Sequence, residues 1–79
     1  MDEPDGIDRY RLTKASDLGA VVRARRHELR MSQEELAALI GVNRRVLGEL
    51  ERGKVTVRLE IALDAARALG LDVELRPRR

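Results

Sequence analysis

Two arginines stand side by side, Arg44 and Arg45, near the front of the segment GVNRRVLGELERGK, and Arg52 and Lys54 close it. The chemistry open to this set is recognition of anions. A guanidinium can give two parallel hydrogen bonds to a phosphate or to the edge of a guanine. Asn43, just ahead of the pair, can address either an adenine or a phosphate. Gln33 falls where a helix should begin and can donate to phosphate from there. Catalytic chemistry has far less to work with. The single histidine, His27, lies between Arg26 and Glu28 with no companion histidine or cysteine, which reads as a solvated side chain. No nucleophile motif, phosphate-cradling loop or metal-ligand spacing is present. No catalytic residue, metal or cofactor is expected, and the chain is not expected to be an enzyme.

With 79 residues, one domain is the natural count. Its apolar residues are Leu, Val, Ile and Ala, with no Trp or Phe and one tyrosine, Tyr10. Such a domain buries only about 60% of its unfolded surface, and so thin a core points to a partner or a second copy. The lack of cysteine excludes disulfides and thiolate metal sites and fits an intracellular protein. No apolar run reaches membrane-spanning length, and the opening MDEPDGID has no signal-peptide pattern. A soluble, cytoplasmic protein with no membrane contact is expected. Asp2, Glu3, Asp5 and Asp8 are four of the 14 acids, so residues 9–79 carry 16 bases against 10 acids. A basic folded part favours a polyanionic partner.

These residues need elements to position them. Residues 1–8 read as a flexible acidic N-terminus, and residues 9–15 as a lead-in whose RYRLT stretch alternates like a short strand. A helix follows over SDLGAVVRARRHEL, with Ser16 as N-cap, Asp17 in the first turn and Leu18, Val21, Val22 and Leu29 on one face. The second helix, SQEELAALIG, has a capping box in Ser32 and Glu35, an inner stripe of Leu36, Leu39 and Ile40, and a stop at Gly41. Asn43 caps a third helix that runs to about Arg52, with Gly53 as its stop. A fourth, RLEIALDAARALG, ends at Gly70, with Thr56 or a neighbour as cap. Residues 16–70 thus form one mainly helical domain. Residues 71–76 alternate Leu71, Val73 and Leu75 against charged residues and predict a strand, before a basic tail at 77–79. A lone strand needs a partner. Either the 9–13 stretch or the same strand of a second chain can supply it, and the second is preferred.

At about 100° per residue, the third helix places Val46, Leu47 and Leu50 together and Arg44, Arg45, Gly48, Glu49 and Arg52 opposite. Gly48 then removes bulk from the centre of the exposed face, where another backbone can come close. Arg45 and Glu49 have i,i+4 spacing. Two short helices joined by the tight turn IGVN make a helix-turn-helix, whose second helix enters a DNA major groove by its N-terminal end. Lys54, just past that helix, is a phosphate contact in this reading.

From Val22 to Leu71 the chain resembles the Xre/lambda-repressor-like helix-turn-helix family, through VRARRHELRMSQEELAALIGVNRRVLGELERGK and LEIALDAARALGL. The resemblance implies a compact bundle of four or five helices that binds double-stranded DNA as a homodimer, at a palindromic operator. It implies that Gln33, Asn43, Arg44, Arg45, Arg52 and Lys54 face the DNA and that Arg26 pairs with Glu51 as a structural ion pair. Within the family, LGAVVRARR, GVNRRVLGELERGK and VTVRLEIALDAARALGLDVEL resemble HipB-type antitoxins. That likeness implies C-terminal strands paired across the dimer, repression of the protein's own operon and binding of a HipA-like Ser/Thr kinase toxin. Three residues depart from the pattern. Arg30 stands where many relatives have glycine, and Val46 replaces a small hydroxyl residue. Glu49 is unusual on a phosphate-facing surface. It either accepts from a cytosine amino group or holds Arg45 or Arg52. A stand-alone Xre-type repressor and an interaction adaptor without DNA binding are the alternative functions.

Overall fold

The computed structural model describes residues 9–78. The acidic segment 1–8 and the last residue of the basic tail lie outside the described residues. Four helices follow in order: α1 (Ala15–Glu28), α2 (Gln33–Ile40), α3 (Arg44–Glu51) and α4 (Leu59–Ala68). None is long and apolar enough to cross a membrane.

Local chemistry sets most of the ends. Ser32 and Glu35 form the reciprocal capping box of α2: the Glu35 amide donates to Ser32 Oγ at 3.0 Å and the Ser32 amide to Glu35 Oε1 at 2.7 Å. Asn43 Oδ1 accepts from the Val46 amide at 2.9 Å and starts α3. Helix α1 begins earlier than its sequence suggests, with Lys14 rather than Ser16 at the N-cap. The reason is Asp17, whose carboxylate reaches back to the amides of Thr13 at 2.8 Å and Lys14 at 3.1 Å. These bonds also hold the Asp17 pKa below its ordinary value, the Thr13 amide contributing most. For α4 the cap is Arg58, not Thr56, and no side chain closes it.

Arg30 bears on the departure noted above. The amide of Met31 donates to the Arg26 carbonyl and that of Arg30 to the His27 carbonyl, both at 3.0 Å, so α1 ends in a Schellman turn. That turn puts Arg30 at φ 56°, the one non-glycine in the left-handed region among the described residues. The ends of α2, α3 and α4 use Gly41, Gly53 and Gly70 for the same conformation. An arginine here is held by the turn against its own Cβ strain.

Helix α1 packs on α3 and α4, and α2 packs on the same two. Val22, Leu36, Leu47, Leu50, Ala62, Ala65 and Leu69 form the buried core, edged by Leu18, Met31, Ile40, Val42 and Val57. Two residues expected on inner faces are exposed instead, Leu39 at 64% and Leu29 at 44%. On α2 the buried positions are Leu36 and Ala37. Val46 is only half-buried at the edge of α3.

Among the described residues no strand forms, neither at 9–13 nor at 71–76. The Leu71 amide is taken by the Ala66 carbonyl at 2.9 Å, which closes α4. Beyond it Val73 is 49% and Leu75 96% exposed, with no ladder partner in the same chain. The strands expected at 9–13 and 71–76 are therefore corrected, and with them the less favoured alternative that the two segments pair within one chain. Alternation alone cannot make a strand where no neighbouring strand meets its amides and carbonyls.

Candidate nucleic-acid interface

A polar network lies close to the arginine face. Arg26 of α1 grips Glu51 of α3 with two bonds, Nε to Oε2 at 2.7 Å and Nη2 to Oε1 at 2.9 Å. The third arm of the guanidinium, Nη1, donates to the Met31 carbonyl at 2.8 Å. Both residues are buried, at 7% and 8% exposure. Burial alone would raise the Glu51 pKa. The hydrogen bonds from Arg26 and Gln33, with the charges of Arg26 and Arg23, outweigh it and hold the carboxyl below its ordinary value. The same contact with Glu51 raises the Arg26 pKa. This is the pair that the resemblance implied.

Gln33 joins the network from α2, donating Nε2 to Glu51 Oε1 at 3.0 Å. Three helices thus meet at one carboxylate. The Gln33 side chain is turned inward, with one amide hydrogen engaged, rather than standing wholly outward as a phosphate donor.

Above the network, Arg44 and Arg45 lie exposed on the first turn of α3, and Leu47 and Leu50 are buried on its other side. Arg52 is exposed at the C-cap. Gly48 is not the open centre of this face, as its wheel position suggested. It is buried, and a Cβ there would lie 3.2 Å from Arg52 Nη1 and 3.9 Å from Gln33 Nε2. The two side chains lean over it, and a helical wheel has no means of showing what long neighbours cover.

The ion pairs also differ from those expected. Glu49 pairs with Lys54 at 3.5 Å and not with Arg45 or Arg52, because the turn after α3 brings the lysine back along the helix. Arg44 Nε lies 3.3 Å from Glu34 Oε2, in the first turn of α2. Among the described residues Arg45 and Arg52 make no ion pair. Glu34 was missed by sequence reasoning, which took only Ser32 and Glu35 from that helix start. The exposed side thus has four bases from α3 and its following turn, and two acids that each hold one of them. Asn43 Oδ1 is engaged in capping, which leaves its NH₂ group as the outward donor. His27 is exposed beside Arg26.

Comparison with known proteins agrees with this geometry. A family model described as helix-turn-helix matches residues 22–75. The uncharacterised HTH-type transcriptional regulator y4mF of Sinorhizobium fredii is 35% identical over 65 residues, which is 82% of this chain and 86% of that protein. An uncharacterised HTH-type transcriptional regulator of Methanothermobacter thermautotrophicus is 44% identical over 50 residues, covering 63% of this chain and 72% of that protein. A second Sinorhizobium fredii regulator, y4dL, is 35% identical over 66 residues, but this chain spans only 34% of its length. With its two-helix unit, its exposed arginines and these matches together, the chain belongs to the helix-turn-helix family, whose members are DNA-binding regulators and not enzymes.

Proposed function

We propose that the protein is a sequence-specific transcriptional repressor that reads double-stranded DNA in the major groove with the N-terminal end of α3. The observation that carries this reading is the division of α3: Leu47 and Leu50 anchor it in the core, while Arg44 and Arg45 stand exposed on its first turn. Arg44 and Arg45 are assigned to base edges or nearby phosphates. Arg52, Lys54, Gln33 and the Asn43 NH₂ group are assigned to phosphates. Glu49 acts by holding Lys54.

The test is affinity for a duplex from the gene's own upstream region, measured against salt. A protein neutralising several phosphates loses affinity steeply, with a slope of roughly −0.9 per contact. Alanine at Arg45 is expected to lose about 1–3 kcal/mol of discrimination between that duplex and a scrambled one. Equal weakening on both duplexes, with a shallower slope, would assign Arg45 to phosphate instead. No binding even at low salt would leave the interaction-adaptor reading.

The working species is a homodimer on a palindromic operator, in the cytoplasm. Residues 71–76 become a strand only by pairing with the same segment of a second copy. The exposure of Val73 and Leu75 supports this, since the alternating apolar side chains have no cover in one chain. Val73→Asp should convert a dimer to a monomer in light scattering, and an unchanged dimer mass would refute the strand placement.

The HipB-type likeness extends the reading: the repressor is the antitoxin of a HipA-like Ser/Thr kinase and controls its own operon. Its support is the set of quoted segments, from LGAVVRARR to the closing LDVEL. A kinase-like reading frame beside this gene, with a product that co-purifies with this protein, would separate an antitoxin from a stand-alone repressor.

A further inference from the structure

The surface assigned to DNA contains its own competitor for DNA. Glu34 Oε2 lies 3.3 Å from Arg44 Nε, with both side chains open to solvent at 71% and 61% exposure. Glu34 sits in the first turn of α2, beside Gln33. A carboxylate there occupies electrostatically the position that a backbone phosphate would take at a helix N-terminus. It is not needed to close the helix, because Ser32 and Glu35 already form the capping box. The ion pair crosses from one helix to the other and engages the guanidinium at the head of α3. Glu49 does the same to Lys54, so half of the four bases are met by acids on their own surface.

We propose that Glu34 is a specificity-determining residue that acts by restraint. It holds Arg44 back from phosphates of any sequence, so that only a site offering further base contacts displaces it. Non-specific binding depends almost wholly on phosphate neutralisation. An acid beside a contact base therefore costs non-specific complexes proportionately more than specific ones, and the ratio between them rises. This inference rests on the DNA-binding reading of α3.

The experiment measures fluorescence anisotropy with two duplexes, one from the upstream region and one of random sequence, across a range of salt. It compares the wild type with Glu34→Gln, with Glu34→Gln in an Arg44→Gln background, and with Asp64→Asn. The last makes the same charge change on α4, beside Leu39 and Ile40 at the other end of α2. Glu34→Gln is expected to tighten binding to the random duplex by roughly three- to tenfold at low salt and to lower the specificity ratio, an effect that fades as salt screens the pair. Asp64→Asn should change random-duplex affinity less than about twofold, and the gain from Glu34→Gln should shrink by half or more without Arg44. The proposal is overturned by unchanged random-duplex affinity in Glu34→Gln, or by an equal gain in Asp64→Asn. It is also overturned if only upstream-duplex affinity falls, which would make Glu34 a direct reader of a base. A wild type that binds neither duplex at low salt would overturn the DNA-binding reading itself.

Discussion

Alanine at Gly19 is expected to unfold most of the protein at room temperature, or to lower its melting temperature by more than about 15 °C. Gly19 is buried at the crossing of α1 and α3. A Cβ built there would lie 1.8 Å from the Leu50 carbonyl oxygen, 2.9 Å from the Leu50 carbonyl carbon and 3.3 Å from the Glu51 Cα. All three are backbone atoms of α3, which no rotamer change can move. The helices would have to part by well over an ångström, opening the core around Val22, Leu47 and Leu50 and pulling Arg26 off Glu51. Helix propensity runs the other way, favouring alanine by about 1 kcal/mol, and the clash overwhelms it. A loss of about 3 kcal/mol or more is expected. A domain of this size has a total stability of roughly 4–12 kcal/mol and shifts by about 4–8 °C per kcal/mol. Circular dichroism melts decide the matter, with Gly48→Ala as control. There the added carbon meets only flexible side-chain ends, Arg52 at 3.2 Å and Gln33 at 3.9 Å, so the melting temperature should hold or rise. A Gly19→Ala protein that melts like the wild type would show that α1 and α3 do not cross as described.

The second large effect comes from breaking the Arg26–Glu51 pair. Removing one partner of a buried pair costs about 3–5 kcal/mol, because the other charge is left without compensation. Arg26→Ala strands the Glu51 carboxylate with only Gln33 and removes the donor to the Met31 carbonyl. The pH dependence identifies the cause. In the wild type the folded Glu51 pKa lies below the unfolded value, so the unfolded state binds more protons in the window between them. The contribution is complete above the ordinary glutamate value of about 4.3 and is lost as pH falls through the folded pKa. Without Arg26, burial becomes the dominant influence and pushes the carboxyl up. The deficit of Arg26→Ala relative to wild type should then shrink as the pH falls from 7 towards 4. Urea unfolding at several pH values measures this. A deficit that stays constant with pH would mean that Arg26 works through packing rather than through Glu51.

Both results bear on the proposed function, because the same network fixes α3, the helix assigned to the DNA groove. Glu51 closes α3, Arg26 ties it to α1 and Gln33 ties it to α2. In the proposed function, the angle at which Arg44 and Arg45 are offered to DNA is therefore set by three side chains that meet at the other end of the same helix. A variant weakened here should lose DNA affinity beyond what its folded fraction explains.

The sequence by itself determined the ends of α2 and α3, the glycine stops and the division of α3 into an aliphatic side and a guanidinium side. These features depend on contacts within four residues along the chain, where spacing and side-chain chemistry leave few alternatives. The same locality explains the error at α1, where Asp17 reached back further than Ser16. Only the tertiary structure decided that Leu39 stays in water while Ala37 is buried, and that Gly19 is where α1 comes closest to the α3 backbone. It also decided that Gln33 and Arg52 cover Gly48, and that Glu34 rather than Glu49 meets an arginine. Each of these depends on how two helices cross, which spacing within either helix does not fix. A displacement of one turn at such a crossing changes every contact while leaving the periodicity of both helices untouched.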